Sequence, residues 1–456
     1  MIRESKAGTD FNQFSLITQK RFGPFFFTQF LGAFNDNIFR NGLIILLSFK
    51  GVEVLGLNAS QIANVAGALF ILPYFLFSAL AGQLADKEEK SNLIQKIKLF
   101  EIILMLLATT ALLTENYPYL LIILFLMGFQ SSLFGPAKYA YIPQKLDKNE
   151  LIGGNALVES GTYIAIILGL VVGGVAVSIG KDNDYPLALM LLSMAIIGYF
   201  FSKKIPTTEP TDPNLKINWN IVSEIRRIIG FSRKEKDIFI FIIGISWFWF
   251  YGSVITLQIP AFTINILNGN ENLTTLLLAT FAIGIGIGSL TCEKLSKNSI
   301  ELGIIPIGAI GLSFFTFDLF LFSSNLSINQ PVTAKTFIGD INNWRLIIDL
   351  TMIGASGGIF SVPFYAAIQD RANPKYLSRI IAANNIINAI FMVSASILAI
   401  TFLSIGFSIP EFFVLISLMN VLMIIYFNFS SKLFFDRFFK LMKSLSFFDK
   451  KIKDKL

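Results

Sequence analysis

Twelve predominantly apolar stretches, each long enough to cross a bilayer as a helix, recur along this chain. They fall at roughly 22–49, 60–83, 99–114, 118–142, 152–180, 186–202, 237–267, 273–291, 302–323, 346–368, 380–405 and 409–430. About 17–25 such residues span the hydrocarbon core when helical. Lipid leaves few other forms open, because every backbone N–H and C=O needs a partner inside the protein. The pattern predicts an all-α membrane protein with twelve transmembrane helices. Charged residues make up only 15% of the chain, against about 25% in soluble domains, which points the same way.

The longest polar stretch separates six of these segments from the other six. The expected organisation is a six-helix half at 1–202, a linker at 203–236, and a second six-helix half with a basic tail at 237–456. Of the 37 Lys and Arg residues, 32 fall at one set of segment ends and four at the other, with Arg40 inside the first segment. The positive-inside rule then assigns both termini and the linker to the cytoplasm. Within the linker, Ile217, Ile221, Ile225 and Ile228 recur at helical spacing, with Glu224, Arg226 and Arg227 off that stripe. This predicts an amphipathic helix at the membrane surface, its basic residues near lipid head groups. Phe434, Phe435, Phe438 and Phe439 beside the lysines of the tail suggest a second surface anchor. A basic strip pressed against a bilayer gives no reason to expect nucleic acid.

The chain has no histidine and one cysteine, Cys292. Imidazole bases, His-based zinc sites and a disulfide framework are excluded. No lysine closes a Walker A string. The expectation is a carrier that is not an enzyme and uses no cofactor and no metal. The start, Met1 to Lys20, is polar and reads as no cleaved signal peptide.

Polar residues inside the apolar stretches mark where a cargo would sit. Phe34-Asn35-Asp36-Asn37-Ile38-Phe39-Arg40-Asn41 lies in the middle of the first stretch. An ionised group at that depth costs at least about 2.5–3.5 kcal/mol, so it faces a bundle interior or a wet cavity. Asp36 and Arg40 stand i, i+4 on one helical face and either neutralise each other or meet the cargo. Lys138 either enters the cavity or snorkels to a helix end. Asp318 and Asp349 are further candidate intramembrane acids, while Lys145, Lys148, Arg371 and Arg379 read as loop charges.

An internal repeat links the two halves. Phe134-Gly-Pro-Ala-Lys138-Tyr139-Ala140-Tyr-Ile-Pro-Gln144 corresponds to Phe360-Ser-Val-Pro-Phe-Tyr365-Ala366-Ala-Ile-Gln369, and Asn155 corresponds to Asn384. Parallel repeats of this kind are expected of major facilitator transporters. Gly82-Gln-Leu-Ala-Asp86-Lys87, after the second segment, is similar to the facilitator loop motif, with Asp86 able to hold a helix N-terminus or a basic residue. Gly169 and Gly173 sit where proton-coupled drug exporters carry a related motif, but Leu170 replaces its proline; the spacing suits close helix packing.

Three stretches together resemble the lysophospholipid transporter family of major facilitators: Thr28 to Gly42, Gly135 to Glu159, and Ser378 to Asn388. The resemblance implies the major facilitator fold in two six-helix halves. It also implies movement of lysophospholipids, lysophosphatidylethanolamine or similar, from the outer to the inner leaflet of the bacterial inner membrane for re-acylation. The acyltransferase motif H-x-x-x-x-D cannot occur without histidine, so a separate acyltransferase partner is implied, and two halves in one chain make a monomer sufficient. Carried over by position, the substrate-binding set is Asp36, Asn37, Arg40, Lys138, Asn155, Glu159, Gln258 and Asn384. Gln258 stands where relatives are expected to carry arginine. Gly82, Asp86 and Lys87 form the conformational motif. The competing reading is a proton-coupled facilitator exporting drugs or another amphiphile.

Overall fold

Runs of Leu, Ile, Phe and Ala, interrupted by few helix breakers, wind into twelve long helices in the computed structural model, which describes residues 12–50, 59–180, 184–296, 299–324, 331–430 and 434–443. They are α1 (Gly23–Lys50), α2 (Ala59–Lys87), α3 (Lys90–Leu113), α4 (Tyr117–Lys145), α5 (Leu151–Ile179) and α6 (Tyr185–Ser202). After the linker come α7 (Lys236–Asn265), α8 (Glu271–Ser296), α9 (Ile305–Ser323), α10 (Trp344–Arg371), α11 (Leu377–Ser404) and α12 (Ile409–Ser430). Among the described residues, ten of these are long and apolar enough to cross a membrane on that basis alone. The two that fall short are α1 and α3, which carry Asp36 and Arg40, and Lys98 and Glu101. Those four charges all face the bundle interior.

The helices pack in the same way twice. α1 lies on α5 as α7 lies on α11, α2 on α4 as α8 on α10, and α3 on α6 as α9 on α12. Two further pairs, α2 with α11 and α5 with α8, join the first six helices to the last six. The α1–α5 contact depends on small residues. A Cβ on Gly169 would come within 2.6 Å of the Asn37 Cβ, and one on Gly173 within 2.9 Å of the Ile38 carbonyl oxygen. With lipid tails as apolar as the side chains, such close backbone approach is the main source of helix association. It also brings the polar turn of α1 into the bundle.

The linker does not float. Glu89 caps α3 through the Ser91 and Asn92 amides (2.8 Å each) and accepts from the Thr208 amide and hydroxyl (2.7 Å each). Burial pulls the Glu89 carboxyl up, but the Thr208 and Ser91 hydrogen bonds outweigh it and hold the group down at about 2. Asp212 donates its amide to the Asp86 carbonyl (2.8 Å), and Asn218 its amide to Gln83 Oε1 (2.7 Å). A helix follows at Ile221–Lys234, as the spacing predicts. Its isoleucine stripe, however, faces protein and not lipid: Ile225, Ile228 and Ile229 pack on Ala79 of α2 and Ala382, Ala383 and Ile386 of α11. Glu224, expected off the stripe, is buried with it. The helix bridges the two bundles. Part of the basic tail lies outside the described residues. Where it is described, Phe434 is buried against the rings of Phe241, Phe364 and Phe427, Phe435 and Phe438 are half-buried, and Phe439 is exposed.

Enlarging Gly173 tests the α1–α5 seam. Gly173→Leu is expected to cost at least about 1–3 kcal/mol through overpacking and to lower the thermal midpoint of the detergent-solubilised protein, followed by size-exclusion chromatography after heating. An unchanged midpoint would show that the seam is looser than described.

Candidate functional site

The charged residues of α1, α3, α4 and α5 converge on a central cavity of about 290 Å³. Asp36, Arg40, Lys98, Glu101, Lys138 and Glu159 all line it, three acids matched by three bases. All six come from the first six helices. The last six contribute uncharged groups, among them Trp249 of α7, Tyr365 of α10, and Asn385, Asn388 and Met392 of α11.

Asp36 Oδ2 accepts from the Ser131 hydroxyl at 2.6 Å, while Oδ1 has no hydrogen-bond partner. Arg40 does not close on Asp36: its guanidinium donates to Asn37 Oδ1 (3.0 Å) and lies over the Phe70 ring, 5.8 Å from its centroid. Asn37 is itself fixed by donating to the Ala33 carbonyl (2.8 Å). Beside Asp36, Glu101 accepts from Asn35 (3.0 Å), from Gln130 (3.1 Å) and from the Lys98 ammonium, which forms an ion pair with it.

Lys138 does not snorkel. It is buried, donates to Thr162 Oγ1 (3.3 Å) and lies 5.0 Å from the centre of the Tyr139 ring. Glu159 accepts from the Tyr139 hydroxyl at 2.5 Å. The Tyr139 ring stacks on Tyr365 of the other half, with centroids 4.6 Å apart and planes 5° from parallel. Trp249 donates to the Tyr365 hydroxyl (3.2 Å). The two tyrosines are repeat-mates, and they meet each other at the cavity floor.

Most polar bonds between the halves lie at or below that floor, on the linker side, while Ser160 of α5, next to Glu159, donates to the Gly286 carbonyl of α8 (3.0 Å). Asn155 and Gln369 exchange amide hydrogen bonds (2.6 and 3.1 Å). Asp86 accepts from Arg379 Nε (2.7 Å) and from the Ser378 amide (3.1 Å), and Arg379 also reaches Asp212 of the linker at 3.5 Å. Gly82 lets α11 approach, since a Cβ there would come within 2.7 Å of the Ala382 Cβ. Lys87 is half-buried at the end of α2. Among the described residues, no hydrogen bond or ion pair joins the halves at the opposite end. Among the described residues, the bundle is latched on the linker side.

The sequence matches the Major Facilitator Superfamily model over residues 25–396. The chain belongs to the Major Facilitator Superfamily. Its resemblance to lysophospholipid transporters is met by relatives of that name. Lysophospholipid transporter LplT of Enterobacter sp. (strain 638) is 25% identical over 350 residues, 75% of this chain and 78% of that protein. LplT of Escherichia coli O1:K1 / APEC is 26% identical over 352 residues, with the same coverage. Solved structures share the facilitator fold. The human organic anion transporter MFSD10 (TETRAN) superposes with a TM-score of 0.70 at 10% identity, over 90% of this chain and 98% of that one. The E. coli fucose:proton symporter FucP gives 0.63 at 12%, over 89% and 98%.

Within this facilitator, Asp36, Asn37, Arg40, Lys138 and Glu159 line the cavity; Asn155, Gln258 and Asn384 do not. Asn155 is spent on Gln369. Gln258 is buried on α7 nine residues beyond Trp249, about 13 Å along the helix axis. Asn384 is buried with neither amide atom partnered, while its neighbour Asn385 reaches the cavity. Asp318 pairs with Arg345 (3.0 and 2.5 Å) and stands beside Asp349, away from the cavity. Arg379, expected to be a loop charge, is buried in the first turn of α11. Lys98, counted among the charges at a segment end, is buried too. Its i, i+3 spacing to Glu101 was the available signal.

The latch generates a test. Arg379→Met leaves the Asp86 carboxylate buried and unpaired, which costs about 3–5 kcal/mol. Hydrogen exchange of the Ser378 amide is expected to rise at least about tenfold; exchange at the native rate would remove Arg379 from the latch.

Proposed function

We propose that this facilitator carries lysophospholipids, from the outer to the inner leaflet of the bacterial cytoplasmic membrane, where a separate acyltransferase restores the second chain. The observation that carries this reading is the charge balance of the cavity. Three acids and three bases sum to zero, so a head group with one positive and one negative centre enters without leaving an unmatched charge in the membrane interior. Lysophosphatidylethanolamine is such a cargo. Asp36 Oδ1, an acceptor with no partner, suits the ammonium. Lys138 and Arg40 suit the phosphate, the lysine as a point charge and the guanidinium as a fork. The acyl chain then lies along Phe70, Ile71, Phe134, Ile166 and Met392, which share the cavity wall.

The charge asymmetry of the chain ends supports cytoplasmic termini and a cytoplasmic linker. On that reading the latched end faces the cytoplasm and the conformation is outward-open, ready for a lipid from the outer leaflet. The two relatives named LplT support the cargo class. One chain holds both halves, so a monomer suffices.

Uptake of labelled lysophosphatidylethanolamine into spheroplasts of a strain lacking other carriers tests the reading. Wild-type protein is expected to raise uptake above the empty vector. Asp36→Asn and Lys138→Ala each remove a charge-assisted contact worth about 1.5–3 kcal/mol, so uptake should fall on the order of 10- to 100-fold with the protein still in the membrane. No wild-type uptake, together with protection against a drug panel, would instead favour an exporter.

A further inference from the structure

We propose that Lys98 and Glu101 are positioning residues that aim the unpartnered oxygen of Asp36 at the ammonium group of the cargo, an inference that rests on the assignment of Asp36 above. A buried ion pair is a poor way to gain stability, because desolvating two charges offsets most of their attraction and an apolar pair of similar volume does as well or better. Yet α3 places both charges in the bundle, Lys98 at 1% exposure and Glu101 at 0%, and loses the apolar character of a plain span by doing so.

What the pair holds explains its presence. Glu101 accepts from Asn35 of α1 and Gln130 of α4 at once. The residues next to them in sequence are Asp36 and Ser131, which bond to each other at 2.6 Å. Glu101 therefore clamps α1 and α4 one residue away, on each helix, from the contact that occupies Asp36 Oδ2 and leaves Oδ1 without a partner. Gln130 Oε1 lies 3.2 Å from the same Ser131 hydroxyl, so the clamp also touches the donor directly.

Lys98 forms an ion pair with Glu101, and a space is built for it. Gly198 of α6 lies against the end of the lysine side chain: a Cβ there would come within 2.8 Å of Cε and 2.9 Å of Nζ. Gly32 of α1 faces the same ammonium at 3.5 Å from its virtual Cβ. Three helices thus seat one ammonium.

Binding of two labelled lipids to the purified protein in nanodiscs tests the proposal. Lysophosphatidylethanolamine carries the ammonium; lysophosphatidylglycerol keeps the phosphate and replaces the ammonium with hydroxyls. The charge-neutral double variant Lys98→Met/Glu101→Gln is expected to bind the ethanolamine lipid about tenfold more weakly and the glycerol lipid within about twofold of wild type. Gly198→Ala, which displaces the lysine end without removing a charge, should shift the same ratio in the same direction by about threefold. An unchanged ratio in both variants, or equal losses for both lipids, overturns the positioning role. Failure of the wild-type protein to bind either lipid overturns it by a different route, by removing the cargo assignment beneath it.

Discussion

An ionised group in a bilayer interior must be matched, and the arrangement of this molecule follows from how it matches six of them. Every charge lining the cavity has either an opposite charge or a cluster of hydrogen bonds within reach, yet the matching is incomplete at chosen atoms. Asp36 keeps one oxygen without a partner, and Lys138 spends only a long hydrogen bond on Thr162. A fully satisfied set would be inert; a set of isolated ions would not be tolerated. The cavity sits between these limits, as the proposed binding of a zwitterion requires.

The span count is readable from the sequence because membrane thickness imposes a length on apolar runs, and no tertiary contact can override it. Asp36, Lys138 and Glu159 are readable for a related reason: a charge in such a run has few places to go. Lys98 is harder. It sits at the boundary of its apolar window, near Lys90 and Lys96, where a sequence reading ends the span and sends the lysine to water. The linker stripe fails differently. Periodicity says that one face of the helix at Ile221–Lys234 is apolar, but lipid and a neighbouring helix are equally apolar partners, and only packing on Ala79 and Ala382 distinguishes them. Asn155 and Asn384 match in the repeat yet differ in use: Asn155 bonds to Gln369 across the halves, and Asn384 does not make that contact.

Latching and recognition use different chemistry in different layers. The latch joins Asp86 to Arg379 and Asn155 to Gln369; the floor is an aromatic stack; the cavity charges lie beyond it. Tyr139 belongs to two of these layers, stacking on Tyr365 while donating to Glu159 and lying against Lys138. A cargo that draws Lys138 or Glu159 toward itself would therefore act on the floor through one residue.

The confinement of all six cavity charges to α1–α5 has a consequence for the energetics of turnover. Facilitators alternate by rocking one half against the other around a fixed site. Since no ion pair inside this cavity crosses between the halves, that motion splits none of them in low dielectric. Among the described residues, the ion pairs that do cross, Asp86 with Arg379 and Lys148 with Asp370, sit at the linker end, where separation admits water to solvate the parted groups. The electrostatic barrier to switching is thus moved out of the membrane interior, and the half that holds the six charges can travel with its ionic contacts intact.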